Sequence, residues 1–225
     1  MIITIDGPAG SGKSTVAKNI AQECGFTYFD TGAMYRALTW GIMQHNINLD
    51  DPAALEKFLA DYPITVKTHY MDKRYFLGQE EVTEKIRLPE VTKLVSKVSS
   101  YKQVREALVQ IQRMLAQGVN AVFEGRDMGT VVFPNADLKI FLTASPAVTA
   151  ERRFKEFIEK NPSFASRLTQ EEVQKDLELR DQQDASRDIS PMRPADDAII
   201  IDTSDLTIDD VINRIIVLKE QKEHS

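Results

Sequence analysis

Ile2-Ile3-Thr4-Ile5-Asp6 runs straight into Gly7-Pro8-Ala9-Gly10-Ser11-Gly12-Lys13-Ser14-Thr15. The β-branched residues of the first segment predict a short buried strand. Apolar spacing from Lys13 to Glu23 predicts a helix. Between them, Gly7, Gly12, Lys13 and Ser14 fit the pattern G-x-x-x-x-G-K-[ST], placed after a strand and before a helix as its mechanism requires. Such a loop turns successive backbone N–H groups toward an anion, and the helix N-terminus adds partial positive charge. Lys13 is then expected to bridge the outer phosphates of a nucleoside triphosphate, with Gly7, Pro8, Ala9, Gly10, Ser11, Gly12, Ser14 and Thr15 around it and the Ser14 hydroxyl on Mg²⁺. The plainer alternative is a glycine-rich turn with no ligand. Strand, loop, lysine and serine all in register favour the phosphate reading.

Working outward, short apolar runs recur between helical patterns: Phe26 to Phe29, Ala121 to Phe123, Leu138 to Leu142 and Ala198 to Ile201. Helical spacing covers Ala33 to Gln44, Lys102 to Ala116, Pro146 to Glu159, Gln170 to Asp188 and Ile208 to Lys219. Five strands alternating with helices predict an α/β fold, a five-stranded parallel sheet in a three-layer α/β/α arrangement. One stretch breaks the alternation. Ile64 to Lys67, Arg74 to Leu77 and Glu80 to Val82 read as short strands, the first two joined by a His69-Tyr70-Met71-Asp72 turn, with a helix from about Pro89 to Ser99. The expectation is one domain over 1–225, with a core of 1–61, 101–149 and 167–225, a small β-rich insertion at 62–100 without a core of its own, and a helical lid at 150–166 tipped by Asn161 to Ser166.

Composition narrows the partners. The 225 residues carry a net charge of −6, which disfavours a nucleic-acid binder, because such affinity comes mostly from a basic surface. Cys24 is the single cysteine, so no intrachain disulfide can form, which fits a reducing cytoplasm. No signal peptide or membrane span is read from the N-terminal region. His45, His69 and His224 are too dispersed for a metal site, and Trp40, Phe123 and Cys24 are expected to pack. An Asn-Lys-x-Asp sequence is absent, which argues against a guanine-nucleotide switch.

Transfer of a phosphoryl group between two anions needs cations around donor and acceptor. Arg36, after Asp30-Thr31-Gly32-Ala33-Met34-Tyr35, and Arg126, within Glu124-Gly125-Arg126-Asp127-Met128-Gly129-Thr130, both follow strands at the carboxyl edge of the sheet, where ligands of open α/β folds bind. Arg180, Asp184 and Arg187 lie at i, i+4 and i+7 and share one helix face, a spacing that taken alone more often marks a solvated ion-paired surface. Arg152 and Arg153 suit a lid that closes on a triphosphate, although such a pair by itself is more often a solvated face.

These segments together resemble the bacterial cytidylate kinase family of P-loop nucleoside monophosphate kinases, nearly end to end. The likeness rests on Ile3 to Ser14, Asp30 to Arg36, Gly125 to Pro134 and the Arg180-Asp181, Asp184, Arg187 set. It implies ATP and Mg²⁺ as co-substrate and metal, CMP or dCMP as acceptor, and a monomer. It further implies that 62–100 is the monophosphate-binding region, that Arg36, Arg126, Arg180 and Arg187 hold the acceptor phosphate, that Thr31 and Asp127 lie near the sugar, and that Ser96, Arg105 and Asp184 contact cytosine. Arg153 is implied on the donor. A carboxylate facing the exocyclic amine, with an arginine or serine facing the ring acceptors, would read cytosine over uracil. Other acceptors, such as another nucleoside monophosphate or shikimate, and a non-catalytic nucleotide-binding regulator are the competing readings.

Overall fold

The computed structural model describes residues 1–69, 72–160 and 168–224. In chain order the strands and helices are β1 (Ile2–Asp6), α1 (Lys13–Cys24), β2 (Thr27–Asp30), α2 (Thr31–Gln44), α3 (Pro52–Asp61), β3 (Ile64–His69), β4 (Asp72–Leu77), β5 (Glu80–Glu81), α4 (Pro89–Val98), α5 (Lys102–Leu115), β6 (Ala121–Gly125), β7 (Leu138–Thr143), α6 (Pro146–Lys160), α7 (Gln170–Ala185), β8 (Ile199–Asp202) and α8 (Ile208–Glu223). The expected Tyr70-Met71 turn and the Asn161 to Ser166 lid tip lie outside the described residues.

Contacts divide the chain into two compact units, one of Met1–Phe29 with Gly118–Ser225 and one of Asp30–Gln117. The first holds the parallel sheet, ordered β2-β6-β1-β7-β8 and flanked by helices. Its β1 is central and is buried on both faces, Ile3, Thr4, Ile5 and Asp6 alike, which is why Ile2 to Ile5 lacks a charged, solvent-facing alternation. Ile3, Ile5, Val16, Ile20, Val122, Ile140, Leu142, Ile212 and Ile215 form the core between sheet, α1 and α8. Phe123, expected to be core, is fully buried and stacks on Phe29 at 4.7 Å.

The second unit is wider than the segment 62–100. Its three-stranded antiparallel sheet, β3-β4-β5, packs with α4 against α2, and α3 packs on α5. Leu38, Leu55, Phe58, Tyr75, Leu77, Val95 and Leu108 share one apolar core, with Trp40 among them. The stretch expected to lack a core thus acquires one by enlisting its flanking helices. Gly41 shows how closely: a Cβ there would stand 2.1 Å from Leu77 Cδ2.

α3 escaped the sequence reading although its start signal was present, with Asp51 accepting from the N–H groups of Ala53 and Ala54 and Pro52 opening the helix. α7 ends at Ala185 rather than Asp188.

Candidate active site

The loop between β1 and α1 takes its shape from left-handed glycines. Gly7, at φ 143°, lies so close to β7 that a Cβ would meet the Leu142 carbonyl oxygen at 2.0 Å. Gly12, at φ 88°, caps α1, and a Cβ there would have nothing within 4 Å, so its outer side is open for a ligand. Lys13 is buried and its Nζ donates to the Pro8 carbonyl at 2.5 Å. Burial, with the Arg126 charge adding to it, pushes the Lys13 amine well below its ordinary pKa. An anion arriving here would restore the charged form.

Two carboxylates complete this loop, and sequence reading assigned neither. Ser14 Oγ donates to Glu124 Oε2 at 2.7 Å, and the Tyr28 hydroxyl donates to Glu124 Oε1. Glu124 is buried at the end of β6, where Ala121-Val122-Phe123 is an apolar strand closing on an acid. That pattern was the available signal. Hydroxyl plus carboxylate is an all-oxygen pair that suits a hard divalent cation. Among the described residues no group of three or more His, Cys, Asp or Glu could hold a metal ion.

The other carboxylate is Asp181, whose Oδ1 accepts from the Ala9 N–H at 2.9 Å. Val173, Leu177 and Asp181 are spaced by four on α7, and the first two pack on Ala9 with Phe154 and Leu168 at the edge. Burial raises the Asp181 pKa against the opposing pull of the Ala9 N–H, Arg126 and Lys13. A capping box, Thr169 with Glu172, starts this helix.

Arg126 and Arg187 do not form a solvated face. Arg126 Nε donates to Asp184 Oδ2 at 3.1 Å, and Asp184 is buried. Arg187, just past the end of α7, donates from Nε to the Asp184 carbonyl at 3.1 Å, and its guanidinium lies 3.6 Å from Asp184 Oδ1. The i, i+4, i+7 geometry therefore holds only for Arg180 and Asp184, while Arg187 acts as a cationic cap on the helix C-terminus. Arg180 has no hydrogen-bond partner for its buried Nε, and burial followed by Arg126 repulsion lowers its pKa to about 10. A buried guanidinium with an unspent donor, beside a second one, is a place where an anion would be stabilised.

Arg153 differs from these. Its side chain is exposed and pairs with Glu156 on α6. Arg152 is the one tied inward, donating to Thr203 Oγ1 at 3.0 Å and to the Thr203 carbonyl at 2.7 Å, while Thr203 Oγ1 lies 3.3 Å from the Ser11 carbonyl.

In the second unit, Thr31 is buried at the start of α2, which Asp30 caps through the Ala33 N–H. Asp30 also pairs with Arg87 at 3.3 Å. Arg36 donates to the Ile86 carbonyl at 3.2 Å and to Thr92 Oγ1 at 2.7 Å. Ser96 and Arg105 are linked through Ser99, whose hydroxyl donates to the Ser96 carbonyl and whose own carbonyl accepts from Arg105 at 3.1 Å. Arg105 is buried with its guanidinium 5.4 Å from the Tyr35 ring centre.

The fold is that of P-loop kinases: a shikimate kinase from Bacteroides thetaiotaomicron superposes with a TM-score of 0.51 over 98% of each chain at 12% identity. Sequence goes further. The cytidylate kinase family model matches residues 3–221. A cytidylate kinase from Protochlamydia amoebophila is 53% identical over 98% of this chain and 96% of its own, and one from Halalkalibacterium halodurans is 48% identical over 96% of each. The chain belongs to the cytidylate kinase family.

Proposed function

We propose that the protein transfers the terminal phosphoryl group of ATP to CMP or dCMP, giving ADP and CDP or dCDP, by direct in-line displacement. The observation that carries this reading is the pairing, in one compact unit, of a phosphate loop around buried Lys13 with two part-buried cations, Arg126 on Asp184 and Arg180 with its buried, unpartnered Nε. No general base is required, because the acceptor is already a phosphate oxyanion. Catalysis is then positioning plus neutralisation of charge that grows toward the transition state.

In this reading the loop N–H groups from Gly7 to Thr15 and the Lys13 amine bind the triphosphate, with Arg153 the lid residue on the donor. A Mg²⁺ ion held by Ser14, with Glu124 orienting that hydroxyl, would neutralise the phosphates. Arg36, Arg126, Arg180 and Arg187 take the acceptor phosphate, Thr31 and Asp127 the sugar, and Ser96, Arg105 and Asp184 the cytosine ring. The Lys13–Pro8 and Ala9–Asp181 hydrogen bonds are those that an arriving phosphate chain would compete with. We further propose that the enzyme works as a monomer in the cytoplasm. Among the described residues no helix is long and apolar enough to cross a membrane.

The test is ADP release from ATP across CMP, dCMP, UMP and AMP, with shikimate as an unrelated acceptor. CMP and dCMP are expected to support turnover, with UMP roughly 10 to 100 times poorer because a carbonyl would replace the amine that a carboxylate reads. ADP release indifferent to the added acceptor would overturn the reading.

A further inference from the structure

We propose that Asp6 is a positioning residue for the reaction: its carboxylate fixes the turn that carries Arg126 and Asp127 to the strand that opens into the phosphate loop. Asp6 ends β1, next to Gly7, and in the parallel pairing of β1 with β6 it stands opposite Gly125. Its Oδ1 accepts from the Met128 N–H at 2.9 Å and its Oδ2 from the Gly129 N–H at 2.8 Å. One side chain therefore ties the last residue before the donor loop to the segment immediately after Arg126.

The chain beyond β6 needs such a tie. It turns through a wide helical coil, Met128–Val132, in which the Val132 and Phe133 N–H groups reach back five residues to Asp127 and Met128. A single wide turn leaves its first N–H groups without partners inside the turn. Asp6 supplies two acceptor atoms to two of them. The turn also lies flat on the sheet, since a Cβ on Gly129 would stand 3.1 Å from Thr4 Oγ1 and 3.2 Å from Lys139 Cδ. Thr4 and Asp6, two apart on β1, face the same side.

Stability alone would not choose an acid here. Asp6 is only 4% exposed, and burial outweighs both N–H bonds, with Asp127 repelling it and Lys13 attracting it, so that its pKa is raised to about 6. A serine or threonine could cap one N–H without a buried charge. A carboxylate gives each N–H its own oxygen, and the two hydrogen bonds together fix orientation as well as distance. What that orientation serves is Arg126, two residues before Met128 and paired with Asp184.

This inference rests on the reading of Arg126 as an acceptor-phosphate ligand, and one experiment separates the two. ADP release is measured for the wild type, Asp6→Asn and Asp6→Ser, each normalised to sites counted by titration with a nonhydrolysable ATP analogue, so that unfolded protein drops out. Per competent site, kcat/KM for CMP is expected to fall about 10²-fold in Asp6→Asn, in which an NH₂ opposes a backbone N–H. The KM for ATP is expected to stay within about threefold. Asp6→Ser, with one acceptor left, should fall between and serves if Asp6→Asn does not fold. Unchanged CMP kinetics per site, or a KM for ATP rising in parallel, would overturn the role of Asp6. Absence of CMP-dependent turnover in the wild type would remove the acceptor reading itself, and Asp6 with it.

Discussion

The loop after β1 and the turn after β6 leave adjacent strands at paired positions, Asp6 opposite Gly125, yet they are built in opposite ways. The first takes its backbone path chiefly from glycines whose conformations other residues resist, with Asp181 adding a hydrogen bond at Ala9, and is followed by a regular twelve-residue helix. The second carries its conformation in borrowed contacts, Asp6 on its N–H groups and Thr4 and Lys139 beneath Gly129. A motif made of its own residues is written in consecutive letters. One held by its neighbours is written in the fold.

Breaking the loop should have the largest effect. Lys13→Ala removes the buried cation that meets the outer phosphates, and a loss in kcat/KM on the order of 10³-fold is expected by the same ADP-release assay. Backbone substitutions sharpen the comparison itself. Gly7→Ala forces a Cβ to within 2.0 Å of a main-chain oxygen at φ 143°, so thermal unfolding should show a cost of about 3 kcal/mol or more. Gly129→Ala meets only side-chain atoms at 3.1 and 3.2 Å, which can yield, and about 1 kcal/mol is expected. Equal costs would mean that the two turns are not built differently.

The smallest effect separates them by charge. Because the Asp6 pKa is raised from 3.8 to about 6, the folded state binds more protons than the unfolded state between those values. Stability from this group therefore rises as pH falls through 6. Denaturant titrations of the wild type relative to Asp6→Asn should show the wild type gaining about 1 kcal/mol between pH 7 and pH 5. No differential slope would mean that Asp6 is not a buried carboxylate in the folded protein.

The same contrast explains what could be read in advance. The five strands and the helix after the loop were legible because periodicity and motif spacing are local. Asp6 and Asp181 were not, since their roles depend on β6 lying beside β1 and α7 lying on Ala9, contacts across 122 and 172 residues of chain. Glu124 sits between these cases: the apolar strand before it was read, and its carboxylate was passed over. Arg187 fell beyond the helix that was expected to display it, and became that helix's cap instead.

The part-buried arginines Arg126 and Arg180, and not the phosphate loop, name the acceptor. Arg126→Ala tests it most directly, with kinetics for CMP measured beside equilibrium binding of a nonhydrolysable ATP analogue. A fall in kcat/KM for CMP of about 10²- to 10³-fold, with analogue affinity held within about threefold, is the expected result. CMP kinetics at the wild-type level, or an equal loss in analogue binding, would contradict it.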